Sequence, residues 1–182
     1  MQKLLALLVV IILSFSSQAQ WVNTNNSFID NAHIPVSILN NDQTYPISVV
    51  SSIDSSVIVA WMDNRNGNGD IYAQKFDKNG VAIWATNGIP VATGSENQTY
   101  YIGGINYQPQ FYSYMATDSA GGFYIVWEDA NTAAGTNKNK ICVQHVKADG
   151  SLVFGSSGFT VSGGSSSFYY TKPQLIADGN GG

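Results

Sequence analysis

The chain is poor in the residues on which most enzymes and nucleic-acid-binding proteins depend. Its 182 residues include one cysteine, Cys142, one arginine, Arg65, and two histidines. A single cysteine excludes an intrachain disulfide. A net charge of −4 with scattered lysines excludes a nucleic-acid partner, because phosphate binding needs clustered cations. Stability must therefore come from a buried core, from bound calcium or from neighbouring repeats.

The sequence also lacks a recognisable catalytic constellation. His33 and His145 are the only candidates for an imidazole base. Glu128 and Asp129 are adjacent on a predicted strand, so their side chains point to opposite faces and cannot act as a carboxylate pair. The serine run at 165–167 lacks the strand–elbow–helix context of a nucleophilic serine. We therefore predict no catalytic residue.

The first 19 residues have the features of a cleavable secretory signal. A lysine at position 3 precedes a run of ten apolar residues at 4–13, and small residues lead up to Ala19. A membrane anchor would need roughly 20 apolar residues. We predict cleavage before Gln20, a secreted or extracellular protein, and no membrane span in the mature chain of residues 20–182.

Two stretches of the mature chain repeat the same order of residues. Trp61 and Trp127 each end an apolar run, and they lie 66 positions apart. From Ile71 and Ile141 onward the offset is 70, because the loop between strands is four residues longer in the second unit. Such self-similarity indicates a repeat architecture.

The repeat divides the mature chain into two full units, at about 46–108 and 109–172, and two partial units, at 20–45 and 173–182. Ile34-Pro35-Val36 matches Ile89-Pro90-Val91. We therefore expect residues 34–36 to form the closing strand of a preceding unit.

Each unit contains the patterns of about four strands. Residues 57–61 are apolar throughout, as in a strand buried on both faces. Residues 71–76 mix polar and apolar side chains and are expected to be half-exposed. A fourth strand is expected around 81–84, after a glycine-ended turn. The predicted fold is all-β, with incomplete β-propeller-type blades of about four antiparallel strands. Its structural core is predicted at Trp61, Trp84, Trp127 and Phe154.

The repeated residues follow the pattern W-x-D-x-R, loop, D-I-Y-x-Q, turn and G. The first unit has Trp61, Asp63, Arg65, Asp70, Ile71, Tyr72, Gln74 and Gly80. The second unit keeps Trp127, Asp129, Ile141, Gln144 and Gly150, but has Asn131, Cys142 and Phe154 where the pattern has Arg, Tyr and a later Trp. This pattern resembles a family of secreted bacterial β-propeller-like repeats, as in exported proteins of Bacteroidetes-type bacteria. The resemblance implies an architecture and says little about activity, because propellers host many functions.

The loop at 63–70 holds the densest cluster of oxygen-bearing side chains. Asp63, Asn66, Asn68 and Asp70 could supply oxygen ligands to calcium. Their spacing differs from that of an EF-hand loop, and Arg65 would place a cation inside the cage. The alternative is a turn in which Asn and Gly adopt left-handed conformations. We favour the turn, with Asp63 and Arg65 paired with each other or with backbone groups at the end of the blade, and predict no other cofactor.

Aromatic residues crowd the segments between the units. Their faces and polar tips suit glycan or protein surfaces. Most are expected to pack between blades, as aromatic residues in sheets do. Tyr100, Tyr101 and Tyr107, in the longer segment, are the predicted ligand-binding residues.

These features favour an extracellular or cell-surface binding or scaffold module of β-propeller type. Its expected partner is a glycan or a protein at the cell surface. The alternative is the non-catalytic propeller part of a larger secreted hydrolase that processes glycans or peptides. Either interpretation expects further repeats or domains in the same gene.

Overall fold

The computed structural model describes residues 34–95, 97–99, 114–131, 138–162 and 173–182, and none of these residues is helical. The predicted all-β class is therefore confirmed for this part of the chain. The strands are β1 (Gln43–Val50), β2 (Val57–Asp63), β3 (Asp70–Phe76), β4 (Ile89–Ala92), β5 (Asn97–Thr99), β6 (Met115–Thr117), β7 (Phe123–Asn131), β8 (Lys138–Val146) and β9 (Phe159–Ser162).

The first sheet is an antiparallel meander in the order β1-β2-β3-β4. The expected fourth strand at 81–84 is wrong, because Ala82 forms only an isolated bridge with Phe76 and the fourth strand is Ile89–Ala92. The cause is the buried side chain of Gln74. Its amide donates to the carbonyl of Ala85 at 2.8 Å and accepts from the backbone N–H of Trp84 at 3.1 Å. This side chain takes hydrogen bonds that a neighbouring strand would otherwise make.

The second sheet has the order β5-β7-β8-β9, and β6 also pairs with β7. Two short strands thus share the edge that β1 fills alone in the first sheet. Gln98 pairs with Asp129 as Gln43 pairs with Asp63, so β5 corresponds to the start of β1 and β6 to its end. The predicted unit boundary at 108/109 therefore falls inside the second sheet, and the sheets separate between Ala92 and Asn97.

The two sheets pack face to face around one apolar core. We call the face that carries Trp61 or Trp127 the rear face of its sheet, and the opposite face the front face. The front face of the first sheet packs against the rear face of the second. The core includes Ile58, Ala60, Ile71 and Ala73 from the first sheet and Phe123, Ile125, Trp127 and Cys142 from the second. Cys142, the single cysteine of the chain, is a buried free thiol.

Strand β3 is buried at every position, so the expectation of a half-exposed strand is wrong. The second sheet covers its front face, and residues 85–88 lie against its rear face. Residues 34–36 also differ from expectation, since residues 34–42 have no regular secondary structure. The remainder of the predicted N-terminal unit lies outside the described residues.

Three of the four predicted core residues are buried. Trp61, Trp84 and Trp127 are 3 %, 8 % and 0 % exposed. Phe154, at the position equivalent to Trp84, is 40 % exposed. Trp84 is covered by the second sheet, where its ring lies 6.1 Å from that of Phe123. Among the described residues, no further sheet covers Phe154.

Candidate functional site

The loop at 63–70 connects β2 to β3 and begins with a closed network around Asp63. The indole N–H of Trp61 donates to Oδ2 of Asp63 at 2.8 Å, and the backbone N–H of Arg65 donates to Oδ1 at 2.9 Å. The Arg65 guanidinium also donates to Oδ2, at 2.5 Å, and lies 3.7 Å from the ring centroid of Tyr72. The predicted pairing of Asp63 with Arg65 is therefore confirmed.

Asp70 pairs with Asp63 across the two strands and is equally buried. The side-chain amide of Asn66 donates to Oδ2 of Asp70 at 2.6 Å, and that of Asn68 donates to Oδ1 at 3.2 Å. Burial raises the pKa of Asp70 above its ordinary value, against the effect of these two hydrogen bonds. Burial also opposes ionisation of Asp63, but hydrogen bonds from Arg65 and Trp61 outweigh it and hold that pKa below its ordinary value.

The four candidate calcium ligands, Asp63, Asn66, Asn68 and Asp70, are thus brought together, but every oxygen of the two carboxylates already accepts a hydrogen bond. The guanidinium of Arg65 occupies the same space. Within the described ranges, no group of three or more His, Cys, Asp or Glu residues could hold a metal ion. These contacts favour the turn interpretation over a calcium cage.

The corresponding corner of the second sheet is built differently. Cys142 replaces Tyr72 opposite the tryptophan, and Asn131 stands where the first sheet has Arg65. The indole N–H of Trp127 and Oδ1 of Asp129 have no hydrogen-bond partner among the described residues. Asp129 Oδ2 lies 3.6 Å from the ammonium of Lys140. The cation over an aromatic ring is thus a feature of the first sheet.

A second polar cluster lies on the front faces. Lys75 is 3 % exposed, and its ammonium lies 3.0 Å from Asp54 and donates to the carbonyl of Gly121 in the second sheet at 2.8 Å. The hydrogen bond from Ser56 holds the pKa of Asp54 well below its usual range, and Lys75 adds to this effect. The hydrogen bond from Lys75 to Gly121 therefore connects the first sheet to the second.

His145 occupies the strand position equivalent to Lys75. Its Nε2 lies 2.9 Å from Asp118, and its ring stacks on Tyr124 with centroids 4.2 Å apart. Burial opposes ionisation of Asp118, but hydrogen bonds from His145 and from the backbone of Ala120 and Gly122 hold its pKa below 3.8. This cluster was not predicted from the sequence, because an aspartate before a glycine-containing turn is typical of turns and gives no sign of a contact with His145.

The predicted ligand-binding residues Tyr100, Tyr101 and Tyr107 lie outside the described residues. Their flanks are placed: Thr99 pairs with Glu128, and the carbonyl of Tyr114 accepts from Val126 two positions earlier on β7. In the first sheet, the same span between Thr44 and Ile47 contains only Tyr45 and Pro46. Residues 100–113 are therefore an insertion into an edge strand. The repeated tripeptide Gln-Thr-Tyr at 43–45 and 98–100 is the signal that could have revealed it.

In the part of the chain that the structure describes, no helix is long and apolar enough to cross a membrane. Comparison with protein-family models, with curated proteins and with solved structures gives no match for this chain. The site must therefore be interpreted from its own geometry.

Proposed function

We propose that this chain is an extracellular or cell-surface binding or scaffold module of the β-propeller type. Two equivalent antiparallel sheets that stack front to rear support this proposal; the first has four strands, and in the second two short strands share the edge that β1 fills in the first. Such head-to-tail stacking uses two different surfaces at each contact, and it closes into a ring when the rotation per unit permits. A β-propeller is a ring of this kind, built from four-stranded blades.

The insertion at 100–113 is the observation that carries the binding proposal. It replaces a two-residue connection with fourteen residues, and five of these are Tyr or Phe. Aromatic residues with a polar hydroxyl bury area on a glycan or protein and still offer a hydrogen bond. Tyr100, Tyr101 and Tyr107 are the proposed contacts.

The first sheet provides the design of the test. Replacing residues 100–113 by Tyr-Pro copies the connection at Tyr45 and Pro46 into the second sheet. Wild type and variant are applied to a glycan array and to a peptide array, and their melting temperatures are compared. We expect the variant to lose binding and to keep a cooperative thermal transition.

A point variant separates aromatic contact from loop length. Changing Tyr100, Tyr101 and Tyr107 to Ser together should abolish binding, whereas Tyr45→Ser, at a 47 % exposed tyrosine of the first sheet, should not. Binding that survives both the triple substitution and the loop replacement would contradict the proposal.

The proposed location outside the cell has its own test. The positive start, the apolar run at 4–13 and the small residues before Gln20 support export by a cleaved signal. Mass spectrometry of the protein from the culture medium should give an N-terminus at Gln20. Material that retains residues 1–19 would contradict the predicted cleavage.

A further inference from the structure

The front side of the second sheet is exposed at three apolar positions. Phe154, Phe159 and Val161 are 40 %, 57 % and 59 % exposed. Their equivalents in the first sheet, 70 positions earlier, are Trp84, Ile89 and Val91. Trp84 is 8 % exposed and Val91 is 0 % exposed. Apolar side chains therefore occupy the same repeat positions in both sheets, and they are more exposed in the second sheet, over which no other described sheet lies.

The second sheet provides the cover in the first case. The indole N–H of Trp84 donates to the carbonyl of Ala148 at 3.2 Å. Gly150 is so close that a Cβ there would lie 3.1 Å from Cδ1 of Ile89. Gln144 donates to the carbonyl of Val91 at 3.4 Å. The turn at 147–150 and strand β8 are thus the covering elements.

Residues 173–182 already repeat the turn that starts the second sheet. The backbone N–H of Asp178 donates to the carbonyl of Gly182 at 2.7 Å, and its Oδ1 accepts from the backbone N–H groups of Asn180 and Gly182. Asp118 makes the equivalent three bonds, with Gly122 and Ala120. The offset between the two turns is 60 residues.

This turn also sits against the second sheet as its counterpart sits against the first. The carbonyl of Gly181 accepts from the hydroxyl of Tyr124 at 3.0 Å. The carbonyl of Gly121 accepts from Lys75 at 2.8 Å. The contact between the sheets is therefore continued at one end of the exposed front face.

We propose that Phe154, Phe159 and Val161 form the docking surface for a further four-stranded sheet of the same repeat, joined in sequence to the turn at Asp178. The glycine-ended turn of that sheet would lie over Phe154 and Phe159, as the turn at 147–150 lies over Trp84 and Ile89. A second copy of the chain fits less well, because residues 173–182 hold the place that its turn at 51–56 would need. The inference rests on the repeat architecture in the proposed function and is independent of the ligand.

The test extends the full chain by a copy of residues 123–162 placed directly after Gly182. The matching turns bring the copy into register. Cys142 is changed to Ala in both copies, and Val161→Cys in the original sheet reports access to a thiol reagent. Val153→Cys is the matched control, because Val153 is 42 % exposed and its equivalent Ile83 remains 49 % exposed beneath the second sheet.

We expect the extension to slow labelling of Val161→Cys at least tenfold and to leave Val153→Cys unchanged. A second extension, built from residues 57–92, guards against a copy that does not fold. Unchanged labelling of Val161→Cys with both extensions would overturn the proposal. Protection in the unextended chain that rises with protein concentration would also overturn it, since a second copy would then be the occupant.

The outcome of the array-binding experiment and the outcome of the labelling experiment are independent of each other. Glycan or peptide binding reports on residues 100–113, whereas thiol labelling reports on the front face of the second sheet. Protected Val161→Cys with no ligand binding would refute the binding proposal and leave the docking surface in place.

Discussion

Gly158 lies directly against the indole ring of Trp127. A Cβ added at Gly158 would stand 2.3 Å from Cη2 of Trp127 and 2.8 Å from the carbonyl oxygen of Val143. Gly88 has the same relationship to Trp61, with 2.4 Å to Cη2. Both glycines have positive φ, so each position excludes a side chain for two independent reasons.

Gly158→Ala should therefore destabilise the fold more than Gly155→Ala. The two glycines have similar φ values of 67° and 71°, but a Cβ at Gly155 meets nothing within 4 Å. The left-handed backbone costs both variants about 1–2 kcal/mol. Overpacking against Trp127 adds roughly 1–3 kcal/mol at Gly158 alone. Urea unfolding measures the difference, and equal losses in the two variants would contradict the close contact.

The two buried tryptophans should respond differently to Trp→Phe. Trp61 donates to Asp63 at 2.8 Å, whereas the indole N–H of Trp127 has no partner among the described residues. A hydrogen bond to a charged group contributes about 1.5–3 kcal/mol. Trp61→Phe should thus lower the free energy of unfolding by at least 1 kcal/mol more than Trp127→Phe. A larger loss for Trp127→Phe would refute the assignment.

The contact of Asp118 with His145 predicts a pH-dependent contribution to stability. Because the pKa of Asp118 is lower in the folded chain than in the unfolded chain, its carboxylate stabilises the fold above the unfolded pKa. This contribution is lost as the pH falls through the folded value, below 3.8. The free energies of unfolding in urea of wild type and Asp118→Asn should differ most at pH 6–7. This difference should shrink as the pH falls below about 4. A difference that stays constant down to pH 3 would be inconsistent with this origin.

The loop at 63–70 should not respond to calcium. Its carboxylate oxygens are already hydrogen-bonded, and Arg65 provides the positive charge. A cation that bound only the native state would raise the melting temperature. We expect millimolar calcium to leave the melting temperature of wild type unchanged, as it should that of the Asp63→Asn/Asp70→Asn variant. A rise seen in wild type and absent from the double variant would establish the calcium site instead.

The parts of the fold that were predictable from sequence are those set by local pattern. Apolar runs that end in Trp61 and Trp127 identified β2 and β7, and the offset of 70 aligned β3 with β8. The fourth strand could not be located, because the side chain of Gln74 captures backbone groups at 84–85. A glutamine in a strand that mixes polar and apolar side chains gives no sequence signal of such a role.

In the candidate site, too, contacts between residues close in sequence were predictable and contacts between distant residues were not. Pairing of Asp63 with Arg65 was predictable because the two residues are near in sequence. The contact between Asp118 and His145 joins residues 27 positions apart, and it depends on how two strands of the second sheet are placed. The exposure of Phe154 depends on whether another sheet packs over it. The residue type alone, an aromatic side chain, therefore could not predict whether Phe154 is exposed.

The interrupted edge strand gives the second sheet a tolerance that its core lacks. Lengthening the connection from the two residues at 45–46 to the fourteen at 100–113 costs roughly 2 kcal/mol in loop-closure entropy. On either side of this connection, Thr99 and Tyr114 pair with the backbone of β7, at Glu128 and Val126. Peptides of other lengths and sequences could therefore be displayed at this position with the surrounding strands unchanged. The sequence of this segment can therefore vary while the residues that hold the two sheets together stay the same.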